Sequence, residues 1–132
     1  MEFGKYARQL REQRYEVNRH YSIRQLARRI GMEPTYLSKI ERGKVLPSSE
    51  EVILRLAVEL GEDADLLLAR ADKIASDLHQ IITRRPILFA ELIRGLGQMS
   101  DEELIRLVHK VRDSECLAIG QLDDELQEQT LD

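Results

Sequence analysis

Between Ser22 and Gly43 the sequence reads SIRQLARRIGMEPTYLSKIERG, and its spacing decides the fold. Ser22, with Gln25 three residues on, is a capping box that opens a helix, and Ile23, Leu26, Ala27 and Ile30 give that helix one apolar face. Gly31 stops it. Pro34 suits the first turn of a second short helix, because its missing N–H would have no partner there, and this helix runs to about Ile40 before Gly43 ends it. Two such helices joined by a short turn cross steeply only where the first carries a small side chain under the second. Ala27 is that residue, and Gly31 supplies the positive φ of the turn without a Cβ penalty. Leu26, Ile30, Leu37 and Ile40 then face inward. The spacing predicts a helix-turn-helix.

Outward from this stretch the chain reads as helix almost throughout. Phe3, Tyr6, Ala7 and Leu10 recur at three-and-four spacing, which predicts a helix from Phe3 to about Tyr15, followed by a loop over 15–21. Pro47-Ser48-Ser49-Glu50-Glu51 is a further start signal, with Ser48 capping and Glu51 reaching back, for a helix that Gly61 closes after Leu60. A fifth helix is expected from Asp65 to about Ala75. Ile74, Leu78, Ile81 and Ile82 form a stripe that ends at Arg84-Arg85. Pro86 opens a helix carrying Leu88, Phe89, Leu92, Ile93 and Leu96, and Gly97 breaks it. Ser100 with Glu103 caps a last helix bearing Leu104, Leu107, Val108 and Val111. The expected organisation is all-α: a helix-turn-helix domain over 1–70, a helical region over 71–113, and an acidic, frayed tail over 114–132.

Composition narrows the function. The chain has 132 residues, one or two small units' worth, and 42 % of them are apolar, enough for a packed core. The single Cys116 cannot form an internal disulfide, and no Cys–His cluster has metal-ligand spacing, which points to a reducing cytoplasm and no metal. His20, His79 and His109 are isolated on different elements. No apolar run is long enough to span a bilayer, and no signal peptide is evident, so no membrane role is expected. There is no glycine-rich phosphate loop, no nucleophile with a base and no carboxylate pair on one element, so neither an enzyme nor a cofactor is expected. The net charge of −4 conceals a polarity. Residues 1–49 hold eleven Lys/Arg against five Glu, a balance of +6, whereas residues 50–132 hold nine basic against nineteen acidic groups, a balance of −10. A basic front suits a polyanion, and an acidic back is held away from it.

The motifs themselves are those of a known group. Leu10-Arg11-Glu12, Leu26-Ala27-Arg28-Arg29-Ile30-Gly31, Tyr36-Leu37-Ser38-Lys39-Ile40-Glu41-Arg42-Gly43, Pro47-Ser48, and Leu56-Ala57 followed by Leu60-Gly61 resemble the Xre family of helix-turn-helix regulators, the group containing the lambda-type phage repressors and Cro. The resemblance covers residues 3–68 and implies a five-helix, lambda-repressor-like DNA-binding domain. The connection over 15–21 is several residues longer than the family usually has. Carried over by position, the recognition helix is Pro34–Ile40, and its outward residues Glu33, Pro34, Thr35, Ser38 and Lys39 are implied to meet bases. Lys39 can donate to guanine O6 and N7, and Thr35 and Ser38 can bond base edges. Glu33 either accepts from cytosine or caps the helix start. The resemblance implies phosphate contacts from Ser22 and Ile23 through their amides, from Tyr36 through its hydroxyl, and from Arg42 and Lys44 as clamps, with Arg24 and Arg28 assisting. Arg29 reads as a solvated charge, and Glu41 as holding the turn after the recognition helix by bonding backbone or an arginine.

One helix-turn-helix reads few base pairs, and two copies about 34 Å apart read a palindrome. The apolar stripes beyond residue 74 exceed what a small five-helix domain needs, which predicts a homodimer through Ile81, Leu88, Phe89, Leu92, Ile93 and Leu96. The expected function is that of a transcriptional regulator, a repressor binding double-stranded DNA at a two-fold operator. The alternative is a chain whose main task is to hold a partner protein: an antitoxin with its toxin, or a repressor removed by a metalloprotease.

Overall fold

The computed structural model describes residues 2–114, and they are helical. In chain order the helices are α1 (Glu2–Val17), α2 (Ile23–Ile30), α3 (Pro34–Glu41), α4 (Glu50–Leu60), α5 (Ala64–Arg70), α6 (Ser76–Arg84), α7 (Pro86–Leu96) and α8, which starts at residue 101 and is described to 114. A 3-10 turn, Arg19–Tyr21, joins α1 to α2. The tail expected over 114–132, with Cys116, falls past Ser114 outside the described residues. The chain divides into two compact units, one ending at Ile81 and one beginning at Ile82.

Local chemistry sets most helix ends in the first unit. Ser22, Ser49 and Asp63 each accept a hydrogen bond at the side chain from the N–H three residues on, at Gln25, Val52 and Leu66. Gly31 and Gly61 close α2 and α4 in the left-handed conformation, at φ +76° and +64°. In both cases the next N–H returns to a carbonyl five residues back, Met32 to Ala27 and Glu62 to Ala57, each at 2.9 Å.

Some expected boundaries move. The cap of α4 is Ser49 and not Ser48; Pro47 is buried, and Glu51 pairs with Arg55 instead of reaching back. The loop expected over 15–21 is mostly helical, because α1 continues to Val17, the Asn18 side chain accepts from His20 N–H, and the Arg19 guanidinium lies 4.5 Å from the Tyr15 ring centre. The fifth helix is shorter than expected, ending at Arg70, because Asp72 takes a left-handed φ of +56° and Lys73 N–H returns to Leu68. Three of the other starts agree with expectation: α3 and α7 begin at proline, and Ser100 and Glu103 exchange both bonds of a capping box.

The core of the first unit joins Phe3 and Ala7 of α1, Leu26, Ala27 and Ile30 of α2, Leu37 and Ile40 of α3, Ile53, Leu56 and Leu60 of α4, and Leu67 and Leu68 of α5. Burying each large aliphatic side chain contributes roughly 1.5–3 kcal/mol, so the cluster dominates stability here. Two polar contacts fix α1 upon it. Tyr6 donates to Glu62 at 2.5 Å, with the Arg70 guanidinium over its ring. That bond, first among the causes, holds the Glu62 carboxyl below its ordinary range and pushes the Tyr6 hydroxyl above its own. Gly4 lets α1 pass directly over the end of α3, since a Cβ there would run into the Ile40 and Glu41 carbonyl oxygens. In the second unit the pattern is different: no described residue from Ile82 onward is fully buried.

Two outcomes follow. Gly4→Ala must push α1 off α3, and overpacking of this kind costs about 1–3 kcal/mol, read as a lower denaturant midpoint; an unchanged midpoint contradicts the close approach. Because the Glu62 pKa is depressed in the folded state, its contribution is present above the unfolded pKa and lost as pH falls through the folded one. Tyr6→Phe should therefore weaken the fold at neutral pH and flatten its loss of stability on acidification, and parallel acid titrations of the two proteins would contradict this.

Candidate nucleic-acid interface

The α2–α3 pair is built as its sequence requires. Ala27 is fully buried where the helices meet, and Gly31 turns the chain between them. On the other side of α3, Thr35 and Lys39 are exposed, while Pro34, Tyr36 and Ser38 are half-buried. Glu33 is exposed at the N-cap position but makes no capping bond with its side chain, so of its two expected roles the cap is not seen. Tyr36 donates its hydroxyl to the Leu46 carbonyl at 3.4 Å, which ties α3 to the loop leading to α4.

At the amino end of α2, the Ser22 hydroxyl accepts from Gln25 N–H. The Ile23 and Arg24 N–H groups point out of the first turn, carrying the positive end of the helix dipole. Ile23 lines a crevice of about 150 Å³ together with Arg8, Arg11, Ser38, Glu41 and Arg42. The amino end of α2 and the last turn of α3 thus border one small concavity. Arg8 belongs to it, yet sequence reading did not single it out; its only sequence signal is the spacing to Glu12, with which it pairs at 2.8 Å.

The ion pairs sort the basic residues of the front into two sets. Arg8, Arg11 and Arg29 are matched by Glu12, Glu41 and Glu59. Arg29 is not the solvated charge it was expected to be: it pairs with Glu59 at 2.8 Å, donates to the His20 carbonyl at 2.6 Å and lies over the Tyr21 ring. It fastens the connection between α1 and α2 to α4. Arg24, Arg28, Lys39, Arg42 and Lys44 are exposed and enter no salt bridge among the described residues. All five lie on α2, on α3 or just after α3. Lys5, Arg14 and Arg19, on α1 and the 3-10 turn, are likewise outside these salt bridges, so five of the eight unmatched basic side chains of the front lie on the helix-turn-helix.

Arg11 and Glu41 hold this geometry from beneath. Their side chains are nearly excluded from solvent and paired in a fork, with Nε to Oε2 at 2.7 Å and Nη2 to Oε1 at 2.9 Å. The remaining guanidinium nitrogen, Nη1, donates to the Tyr21 carbonyl at 3.2 Å. Glu41 thus bonds an arginine and serves the turn after α3, as expected from its position. Among the described residues no cluster of His, Cys, Asp and Glu could hold a metal ion, and no helix is long and apolar enough to cross a membrane.

Comparison with known proteins agrees with the geometry. A family model described as a helix-turn-helix domain matches residues 2–69, just over half of the chain. No curated protein matches, and no solved structure matches.

Removing one member of a buried ion pair strands the other charge, whereas replacing both by apolar groups need not. Arg11→Met should accordingly lower the unfolding free energy by about 3–5 kcal/mol, and Arg11→Met/Glu41→Leu should recover most of it. Equal losses in the single and double variants, measured by urea titration, would contradict the pairing.

Proposed function

The chain belongs to the helix-turn-helix domain family, and from that premise we propose that it is a sequence-specific transcriptional regulator of the Xre type, a repressor that binds a two-fold operator as a homodimer. The observation that carries the reading is the collection of unmatched basic side chains around the exposed face of α3 and the amino end of α2. A helix entering the major groove meets bases with its outward side chains, here Thr35, Ser38 and Lys39, with Glu33 and Pro34 at its start. The flanking groups, Ile23 and Arg24 at the amino end of α2 and Arg42 and Lys44 after α3, lie where phosphates would pass on either side. Arg28 completes that set, and Tyr36 joins it by turning its one O–H from the Leu46 carbonyl to a phosphate. The Ser22 N–H, expected to meet a phosphate, donates instead to the Arg19 carbonyl at 3.3 Å, so Ser22 acts through its hydroxyl, which accepts the capping bond and keeps its O–H to donate. No catalytic role is assigned.

Homodimerisation is supported by the apolar residues left at the surface. Leu88, Leu92 and Ile93 of α7 are exposed, and Phe89 and Leu96 are half-buried; Ile81 of α6 is exposed as well. The same residues would also suit a heterologous partner such as a toxin or a metalloprotease, which is the second reading. The homodimer is preferred because a two-fold operator requires two reading heads.

Selection of bound duplexes from a random pool by the full chain should yield a palindromic motif, with affinity falling steeply as salt rises. Lys39→Ala should relax the motif at one base-pair position per half-site, a change of about 1–3 kcal/mol there, while Arg42→Ala should weaken all sequences alike and lower the log–log salt slope by about one. No enriched sequence, or no salt dependence, would overturn the reading.

A further inference from the structure

Within the second unit, α7 and α8 are joined by the short connection 97–100 and pack as a helical hairpin. Between them lies an open apolar groove of about 440 Å³, lined by Leu92, Leu96, Leu104, Leu107, Val108 and Val111, with Arg112 at its mouth. Leu92, Val108 and Val111 keep 53 %, 46 % and 58 % of their surface exposed. An exposed apolar face of this kind, rimmed by charge, marks a site of interaction.

What covers it is written along α8. Asp101, Ile105, Val108 and Arg112 fall at intervals of four, three and four residues, which puts them in one row along one face of the helix. Ile105 is 55 % exposed, like its apolar neighbour Val108 in the middle of the row. The ends are opposite in charge, and among the described residues neither Asp101 nor Arg112 has an ion-pair partner. Such a row is complementary to itself when reversed. Turned end for end about the point between Arg106 and Leu107, it places Asp101 against Arg112, Ile105 against Val108, and their symmetry mates likewise. A parallel alignment would set Asp101 against Asp101 and Arg112 against Arg112.

We propose that a second copy of this chain covers the groove, with the two α8 helices antiparallel across a two-fold axis and Asp101 of each copy paired with Arg112 of the other. The inference rests on the homodimeric reading above and specifies its interface. An isologous contact of this kind makes each ion pair twice, so a single substitution acts at two places. The two hairpins together form a four-helix bundle, in which the partially exposed leucines of the groove become core.

The test is the dimer dissociation constant of the full-length protein, measured by sedimentation equilibrium, with circular dichroism recorded on each variant. Arg112→Asp should set like charges opposite each other at both ends and raise the constant about tenfold or more at low salt, and Asp101→Arg should do the same. The charge-swapped double variant, Asp101→Arg/Arg112→Asp, should return it to within about threefold of the wild type, which a helix merely damaged by the substitutions would not do. Single variants that dimerise like the wild type, or a double variant no better than the singles, would overturn this interface while leaving the homodimer standing. A monomeric wild type would overturn both.

Discussion

The buried pair of Arg11 and Glu41 is the constraint on which the first unit depends. One guanidinium from α1 grips the last residue of α3 through two bonds and the chain just before α2 through a third. Both helices of the motif are thereby referred to a common point on α1. Apolar contacts among Leu26, Ile30, Leu37 and Ile40 bring α2 and α3 together, but such contacts are not directional and tolerate sliding. A forked ion pair does not. Its net contribution to stability is small once the desolvation of both charges is counted, so its value lies in fixing the orientation of α3. The contact of Gly4 with the end of α3 works in the same direction, by allowing α1 to lie close enough for Arg11 to reach.

For the proposed function, fixing α3 matters because a helix that reads DNA works by placing short side chains within hydrogen-bond reach of base edges. Thr35 and Ser38 have little length with which to correct an error of position. The same economy shows in the charges. Arg8, Arg11 and Arg29 are neutralised by glutamates within the fold, whereas Arg24, Arg28, Lys39, Arg42 and Lys44, on or beside α2 and α3, are left open. The formal balance of +6 over residues 1–49 includes both kinds, and only the ion pairs separate them.

Much of this was legible in the sequence where the cause is local. Ser22, Gly31 and Pro34 each act within one turn of their own position, and the bounds of α2 and α3 lie within a residue of expectation. What was missed carries no clear signal in spacing or residue type. The continuation of α1 through Val17 has no apolar stripe to announce it, and its end is held by Asn18 on the His20 N–H and by Arg19 over the Tyr15 ring. Of two adjacent serines able to cap α4, Ser49 prevails in a chain where Pro47 is buried. The end of α5 turns on Asp72 at positive φ, a conformation that Asp tolerates better than most residues but adopts too rarely to be read from its type alone. Arg29 read as a surface charge because Glu59 and the His20 carbonyl, which hold it, are not neighbours in sequence. In the second unit the helices were legible, as the capping box at Ser100 shows, because they too are set by local signals.

The proposed function turns on one surface, that made by α2 and α3, meeting DNA. Amide chemical-shift mapping of the full chain, titrated with a duplex containing its selected motif, tests this. The largest shifts should fall at 22–24, 33–39 and 42–44, with the α8 residues from 101 to 112 unmoved. Shifts centred on α8 or on the groove beside it, with those three stretches silent, would contradict it.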